Sequence, residues 1–377
     1  MSNIKKNKLN HNQGALPDYM LRELIAAGRL TGTQPENVKP ASLDLSLSDE
    51  IYAVSGIFQL RPGEKIRDLL SLVKAKPIDY RQPLVYDEVY LIRLNEVVDL
   101  PDSIYGYCNP KSSTGRNDIH IRVIAEGVPR YDTIPFQQRR VELWALINPK
   151  SYSVLLKPGQ TLSQLRLFNK DTRLNEEELK IIMSDEGLLW NQANQALSYS
   201  DLTMTDGDGS VILTMDLNSR IIGYESLEKN KAVVDFGSLN SVDPQDFFQP
   251  IIGPRSDLIL RQGHFYLLSS AESVRVPNDL VCEMSPIDER TGEFRSHYAG
   301  FIDPGWGTGG TGQGRPLTLE VRPFEDFLVR PQQAIAKINF EKMINLPETG
   351  YDNLAGSNYA KQFQVALPKQ FKKFQNI

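Results

Sequence analysis

Hydrophobic and polar residues alternate along most of the chain, in short runs that end at Pro or Gly. Residues 141–147 and 317–321 show this period of two clearly. Such alternation predicts short, half-buried β-strands. Residues 19–27, which end at Gly28, instead space their apolar residues by three and four, and residues 176–190 are a second candidate helix. The pattern therefore predicts a mainly β protein with a few short helices.

The two halves of the chain repeat each other. Three segments of the first half recur in the same order in the second: residues 89–101 in 265–277 without a gap, 156–168 in 329–340, and, more loosely, 41–47 in 209–217. One such match could arise by chance, but three in one order indicate a tandem duplication.

Strand patterning lapses between about residues 172 and 202, which places the boundary between the repeats there. We expect an N-terminal domain over residues 1–172, a connector over residues 173–201 and a C-terminal domain over residues 202–377. Each domain has a size that suits a barrel-like or jelly-roll β core.

The composition is that of a soluble globular protein, with 377 residues, 40% of them hydrophobic and 24% charged. The net charge of −5 provides no overall basic surface for nucleic acid. The polar, basic start lacks the features of a secretory signal, and no apolar run is long enough to span a membrane. We therefore expect a cytoplasmic protein that binds neither nucleic acid nor membranes.

Cysteine and histidine are scarce. Cys108 and Cys282 cannot form a disulfide framework, and we interpret both as small buried apolar residues. None of the common zinc-binding spacings of Cys, His and Glu occurs around them or around the four histidines. The sequence therefore predicts no zinc site.

Residues 110–116, Pro-Lys-Ser-Ser-Thr-Gly-Arg, contain two cations, three hydroxyl groups and a glycine. These groups can hold phosphate oxygens, because they combine hydroxyl donors, a point charge and a planar guanidinium. Composition alone favours the alternative, a polar turn with no ligand.

The second half contains Ala299-Gly-Phe-Ile-Asp-Pro-Gly-Trp306, followed by a glycine-rich stretch over residues 307–314. That stretch lacks the Gly-Lys-Ser/Thr end of a nucleotide P-loop, so a flexible hairpin loop is expected. The next strand has Glu320 between Leu319 and Val321, which point to its opposite face. If the face of Glu320 is buried, its carboxylate needs partners; if that face is solvated, Glu320 is an ordinary surface residue.

These motifs resemble those of bacterial dCTP deaminases, a family of the dUTPase-like superfamily. The resemblance rests on Lys111-Ser-Ser-Thr-Gly-Arg116, on Ile302-Asp-Pro-Gly-Trp306 with Glu320, and on a tail with Tyr351, Tyr359 and Gln362. It extends to the first helix and to residues 40–45. It implies two tandem dUTPase-like β-barrel or jelly-roll domains and the zinc-independent deamination of dCTP to dUTP and ammonia, which supplies precursors of dTTP.

The resemblance also implies roles for individual residues. Glu320, Ser112 and Arg116 would be catalytic, with Glu320 moving protons and the other two orienting the attacking water. The implied substrate-binding residues are Lys111, Ser113, Ala299, Ile302, Asp303, Trp306, Tyr351, Tyr359 and Gln362. Mg²⁺ would arrive with the triphosphate, and dTTP is a candidate feedback inhibitor. Phe301 and Asn358 depart from the family pattern, in which arginine and lysine are expected.

Neither half carries the complete set of motifs. The first half has residues 128–134 where the Ile-Asp-Pro-Gly-Trp turn is expected, and Ala145 at the position of the catalytic glutamate. The second half has Asp288-Glu-Arg-Thr-Gly292 in place of the serine–arginine motif, and these acidic residues would repel phosphate. The chain thus resembles the long, duplicated dCTP deaminases, and we expect a trimer-related homo-oligomer whose active site combines N-type and C-type motifs.

Two other functions remain open at this point. The chain could be a dUTP pyrophosphatase or a bifunctional enzyme, although Trp306 and the Tyr/Gln tail differ from the usual pyrophosphatase motifs. It could also be a non-catalytic, nucleotide-sensing oligomer, since each half has lost some motifs. The presence of Glu320, Ser112 and Arg116 in one chain argues against the last alternative.

Overall fold

The computed structural model describes residues 12–227, 230–291, 294–296, 300–354 and 362–375. Its contacts divide the chain into two compact units. The N-terminal unit comprises Met20–Leu167, Ser226–Gln249 and Leu367–Ile377, and the C-terminal unit comprises Met1–Tyr19, Phe168–Glu225 and Pro250–Ala366. Two later segments of the chain thus belong to the unit of the first half. The domain bounds given above, residues 1–172 and 202–377 with a connector over residues 173–201, describe the repeat in the sequence and stay a prediction.

Strands provide most of the structure. In the first half they are β1 (Leu30–Thr31), β2 (Val38–Lys39), β3 (Ser42–Val54), β4 (Lys76–Pro77), β5 (Val89–Val98), β6 (Tyr105–Pro110), β7 (Ile119–Ala125), β8 (Thr133–Ile134), β9 (Val141–Pro149), β10 (Tyr152–Leu155) and β11 (Thr161–Phe168). In the second half they are β12 (Leu189–Trp190), β13 (Ser210–Thr214), β14 (Ile221–Ser226), β15 (Asn230–Asp235), β16 (Phe248–Ile252), β17 (Leu258–Leu260), β18 (Tyr266–Val274), β19 (Leu280–Ser285), β20 (Phe294–Ser296), β21 (Phe301–Ile302), β22 (Arg315–Pro323), β23 (Phe327–Val329) and β24 (Ala334–Lys342).

The described part of the chain has four α-helices: α1 (Asp18–Ala26), α2 (Ile66–Leu69), α3 (Ser112–Arg116) and α4 (Glu176–Glu186). Helix α1 ends before Gly28, whose φ of +69° stops it as predicted. Asn175 and Glu178 form a capping box at the start of α4. This second predicted helix is therefore present, but it ends four residues earlier than the sequence pattern suggested. None of the described helices is long and apolar enough to cross a membrane.

In the N-terminal unit, one large sheet has the order β7-β9-β5-β3-β11-β6-β8. A smaller parallel pair joins β10 to β15, which comes from the second half of the sequence. Leucine, isoleucine and valine side chains of the central strands fill the interior, as the alternating pattern predicts. Cys108 is also buried, and burial raises the pKa of its thiol well above the ordinary value.

In the C-terminal unit, one sheet has the order β16-β14-β18-β22-β20 and another has the order β13-β24-β19-β21. Strands β17 and β23 form a separate antiparallel pair. Residues of both larger sheets enclose one apolar core, to which α4 adds Leu179 and Met183. Cys282 is fully buried in this core, which confirms its interpretation as a small apolar residue.

Each unit contains the same pair of hydrogen bonds at equivalent positions. Ser46 on β3 donates its backbone N–H and its hydroxyl to the buried carboxylate of Glu96, over 2.9 and 2.7 Å. Thr214 on β13 makes the same pair of bonds to Glu272, over 2.8 and 2.6 Å. Because these contacts recur at equivalent places, the duplication is also present in the structure.

Candidate active site

Residues 112–116 form the short helix α3, rather than the polar turn that composition favoured. Lys111 precedes the helix, and its carbonyl accepts hydrogen bonds from the N–H groups of Thr114 and Gly115. The Thr114 hydroxyl donates to the carbonyl of Leu162 on β11, over 2.7 Å. Ser113 and Arg116 are 3% exposed. The motif is thus held rigidly against the large sheet.

Lys111 extends from this helix start toward β3. Its ammonium donates to the Thr161 hydroxyl over 2.8 Å and forms an ion pair with Asp44. Lys39 is 3.8 Å from the same Asp44 carboxylate. The Asp44 side chain is almost fully buried, whereas both lysines remain partly exposed. A ligand can therefore reach the cations.

The far end of α3 is anchored by a segment near the C-terminus. The Asn117 amide donates to the Ser113 carbonyl over 2.6 Å and to the Gln370 side chain over 3.0 Å. Gln370 is fully buried, and its own amide donates to the carbonyl of Phe236. These bonds leave the buried amides satisfied and join three separate parts of the sequence around α3.

In the C-terminal unit, the Ile-Asp-Pro-Gly-Trp turn begins at the end of β21. Gly305 has a φ of +85° and lies so close to Gly350 and Tyr351 that a β-carbon could not fit. Two backbone hydrogen bonds of 2.9 Å join the turn to Val276. The N–H of Gly305 donates to the carbonyl of Val276, and the N–H of Val276 donates to the carbonyl of Trp306. The turn is therefore fixed at its base, with the Ile302 side chain buried below it.

The start of the C-terminal tail packs on this turn. Tyr351 donates its N–H to the carbonyl of Pro304 over 2.8 Å, and its ring lies 5.3 Å from that of Trp306. The next residue, Asp352, forms a buried ion pair with Arg315 and accepts the N–H of Gly309. The glycine-rich loop thus makes defined contacts at Gly309, where a flexible hairpin loop was expected.

Glu320 lies in the middle of β22 and is 2% exposed. Its neighbours Leu319 and Val321 point into the apolar core, so Glu320 points to the other face of the sheet. Of the two alternatives for the face of Glu320, buried or solvated, the structure shows the buried one. The Gln362 side chain donates to the Thr318 hydroxyl on that same face, over 2.7 Å. Gln362 of the tail consequently lies near the strand position of Glu320.

Strand register corrects one sequence assignment. Glu320 pairs with Leu267. The counterpart of Leu267 in the first half is Leu91, which pairs with Leu146. Ala145 was therefore the wrong equivalent of Glu320 by one residue, because the alignment was taken from a distant turn instead of the neighbouring strand. Leu146 is apolar, so the first half still lacks this carboxylate.

A second correction concerns the turn. Ile302 pairs with Cys282, and in the first half the equivalent Gly106 pairs with Ile134. The counterpart of the Ile-Asp-Pro-Gly-Trp turn is thus residues 134–138, not 128–134. Gln137 has a φ of +63°, as Gly305 has +85°, so the first half preserves the backbone of the turn. Its side chains, however, lack the aspartate and the tryptophan.

The predicted site residues are thus distributed over the two units. Lys111, Ser112, Ser113 and Arg116 lie in the N-terminal unit, and Ile302, Asp303, Trp306, Glu320, Tyr351 and Gln362 lie in the C-terminal unit. Ala299 and Tyr359 lie outside the described residues. Within the C-terminal unit, Trp306 packs against Tyr351, and Gln362 is hydrogen-bonded to Thr318 on the strand of Glu320.

Some neighbouring residues were missed at the sequence level. Asn117 and Gln370 are 253 positions apart, so no local pattern could pair them. Arg315 and Asp352 also meet only through folding. Asp44 lies within residues 40–45, which resemble the family, and this resemblance was the sequence signal that could have identified it. The described residues contain no group of three or more Cys, His, Asp or Glu side chains that could hold a metal ion.

These features define a class: a duplicated β protein with a cationic, hydroxyl-rich helix in one unit and a buried glutamate behind a fixed turn in the other. Models of the N-terminal and C-terminal domains of 2'-deoxycytidine 5'-triphosphate deaminase match residues 12–171 and 176–371. The chain belongs to this dCTP deaminase family, as a long tandem member.

Similar proteins agree with this assignment. The chain is 33% identical to a 2'-deoxycytidine 5'-triphosphate deaminase from Agrobacterium tumefaciens, with a TM-score of 0.80 over 90% of this chain and 100% of that structure. It is 34% identical over 125 residues to "dCTP deaminase, dUMP-forming" from Dictyoglomus turgidum, which is 32% of this chain and 61% of that relative. A protein of that name from Halobacterium salinarum is 27% identical over 188 residues, 48% of this chain and 91% of the relative. The mainly β, dUTPase-like fold is confirmed.

Proposed function

We propose that this protein deaminates dCTP by hydrolysis, so that dCTP and water give dUTP and ammonia. The observation that carries the proposal is the buried carboxylate of Glu320, on the strand that follows the Ile302–Trp306 turn. A carboxylate excluded from water is suited to accept and return protons near neutral pH. Family membership over both halves supports the choice of reaction.

In this proposal Glu320 takes a proton from the attacking water, which adds to C4 of the cytosine ring. The proton passes to N3. Glu320 then moves the proton of the new C4 hydroxyl group to the amine, which leaves as ammonia as the C4–N bond breaks and the C4 carbonyl of dUTP forms. Ser112 and Arg116 orient the water and stabilise charge on its oxygen. The rigid packing of α3 supports that role, because a group that orients water acts best when it is already in place.

Substrate recognition would follow the same division of groups. Lys111 and Ser113 hold the triphosphate, whose Mg²⁺ enters as part of the substrate. Asp303 accepts the sugar 3′-hydroxyl. Ala299, Ile302 and Trp306 bind the substrate, with the turn backbone reading the edge of the base, and Tyr351, Tyr359 and Gln362 order over the triphosphate. The support is the half-exposed position of Asp303 beside an otherwise buried turn.

A complete set of groups requires both halves of the sequence. The register places Leu146 and Pro135 at the first-half positions of Glu320 and Asp303, so the first half cannot supply these carboxylates. The second half has Asp288 where the first has Ser112. We therefore propose a homo-oligomer, trimer-related and cytoplasmic, in which N-type and C-type motifs form each active site, with dTTP as a candidate inhibitor.

A second candidate is a bifunctional enzyme that also hydrolyses the triphosphate. The observation that favours it is the name of the three curated relatives, each described as dUMP-forming. Such an enzyme would release pyrophosphate as well as ammonia. The Agrobacterium tumefaciens structure is described only as a deaminase.

Purified protein is assayed with Mg²⁺ and either dCTP or dUTP, and ammonia, pyrophosphate and the nucleotide products are measured in each reaction. Stoichiometric ammonia and dUTP without pyrophosphate support the deaminase. Ammonia, pyrophosphate and dUMP in equal amounts support the bifunctional enzyme. Pyrophosphate from dUTP with no ammonia from dCTP would refute both forms of deamination and leave a dUTP pyrophosphatase.

A further inference from the structure

The cationic cluster beside α3 consists of Lys39, Lys111 and Asp44, and the proposed function assigns a role only to Lys111. Lys111 and Lys39 share the single carboxylate of Asp44. One oxygen of Asp44, Oδ1, is buried and makes no hydrogen bond to any described residue. The Lys39 and Lys111 side chains remain 30% and 19% exposed. Two cations that share one buried anion and face solvent leave a net positive charge accessible to a ligand.

A third lysine, Lys369, lies in the C-terminal segment that anchors α3. Lys369 directly precedes Gln370, whose side chain is bonded to Asn117 at the end of α3. The carbonyl of Lys369 accepts the N–H of Asn240 over 3.0 Å. Phe371 on the other side packs at ring distances of 5.2 Å from Phe247 and 5.3 Å from Phe248. The backbone at residue 369 is therefore fixed on both sides.

The charges around Lys369 agree with that placement. Burial, together with the nearby positive charges of Lys111 and Lys39, lowers the pKa of Lys369, and Asp44 opposes this shift. Lys39 and Lys111 thus share the Asp44 carboxylate, and their charges act on Lys369. Such an arrangement destabilises the free protein through like-charge repulsion, and an anionic ligand relieves it.

We propose that Lys369 and Lys39 are phosphate-binding residues, which complete with Lys111 a three-lysine subsite for the polyphosphate of the substrate. This inference rests on the proposed function for the identity of the nucleotide, but the subsite itself should bind any polyphosphate.

The test compares Lys369→Ala and Lys39→Ala with Lys372→Ala and Lys373→Ala, which remove exposed lysines of the same segment. The probe is inorganic tripolyphosphate, with affinity measured by calorimetry on the full-length protein. Loss of one ammonium–phosphate contact should weaken binding roughly 10- to 100-fold. The two control variants should stay within about twofold, since exposed charges contribute little.

The same variants are then assayed with dCTP. Because the phosphates do not react, the loss should raise KM about as much as it weakens tripolyphosphate binding and leave kcat nearly unchanged. Lys369→Arg, which keeps the charge, should recover most of the affinity. Lys39 is on the surface, so its variant remains informative if Lys369→Ala does not fold.

The outcomes separate this inference from the proposed function. A wild-type protein that binds tripolyphosphate but does not deaminate dCTP would refute the function and leave the subsite standing. Affinity of Lys369→Ala and Lys39→Ala within about twofold of wild type would overturn the subsite, as would wild-type protein that fails to bind tripolyphosphate at all.

Discussion

At the residue scale, buried carboxylates differ in what they contribute. Glu320 is buried on the face of β22 that points away from the apolar core. Glu96 and Glu272 instead occupy equivalent positions in the two units, where they accept hydrogen bonds from Ser46 and Thr214. Burial raises the pKa of Glu96 to about 7, despite its bonds to Ser46. It raises the pKa of Glu272 in the same direction. The duplication has thus preserved a pH-sensitive contact in both units.

The first prediction concerns this contact. The pKa of Glu96 is higher in the folded protein than in the unfolded chain, so the folded state binds more protons between about pH 4.5 and 7. The contribution of Glu96 to stability is therefore fully present below about pH 4.5 and is lost as the pH rises through about 7. Glu96→Gln, which mimics the protonated acid, should remove about 2–3 kcal/mol of the difference in unfolding free energy between pH 5 and pH 8.

Urea unfolding at the two pH values measures this effect. Glu36→Gln is the control, because Glu36 is exposed and its removal should leave the pH dependence as it is in the wild type. Identical pH dependence in the wild type and in Glu96→Gln would show that Glu96 does not titrate in this range.

At the element scale, strands and the helices α1 and α4 could be predicted from local patterns, since burial of one face leaves a period in the sequence. Register could not be. The equivalents Ala145 and residues 128–134 were wrong because a short insertion between strands shifts an alignment without changing the period. The contact between the end of α3 and Gln370 could not be predicted either, because the two are far apart in the sequence and meet only in the folded chain.

The second prediction tests the contact between the turn and the tail. A methyl group at Gly305 would lie 2.7 Å from the Gly350 Cα and 2.8 Å from the Tyr351 nitrogen. Gly305→Ala must therefore displace the start of the tail. We expect a loss of about 1–3 kcal/mol in unfolding free energy, and a KM for dCTP at least about tenfold higher, because Tyr351 no longer packs on the turn.

Gly310→Ala is the matched control for this change. Gly310 also has a positive φ, +66°, but open space surrounds its missing β-carbon. It should therefore show only the backbone strain and keep the wild-type KM. Equal KM values for the two variants would mean that the packing of tail on turn does not contribute to substrate binding.

At the scale of the whole molecule, the chain has two units of the same architecture that have lost different functional groups. The sequence was sufficient to predict the duplication, the dUTPase-like fold and the complementary loss of motifs, because these depend on residue identity at repeated positions. It could not predict that residues 226–249 and 367–377 would belong to the N-terminal unit. Those assignments depend on long-range packing, such as the parallel pairing of β15 with β10.

We propose that Arg116 and Glu320, from different halves of the sequence, serve one reaction. The most direct test is the rate of ammonia release from dCTP by the wild type, Arg116→Ala, Glu320→Gln and the double variant. Each single change should lower kcat by about 10²–10⁴-fold. The double variant should be close to the slower single variant, since groups that act together are not additive. A single variant that keeps about half of the wild-type rate or more would contradict the claim, because a working site would then exist without that group.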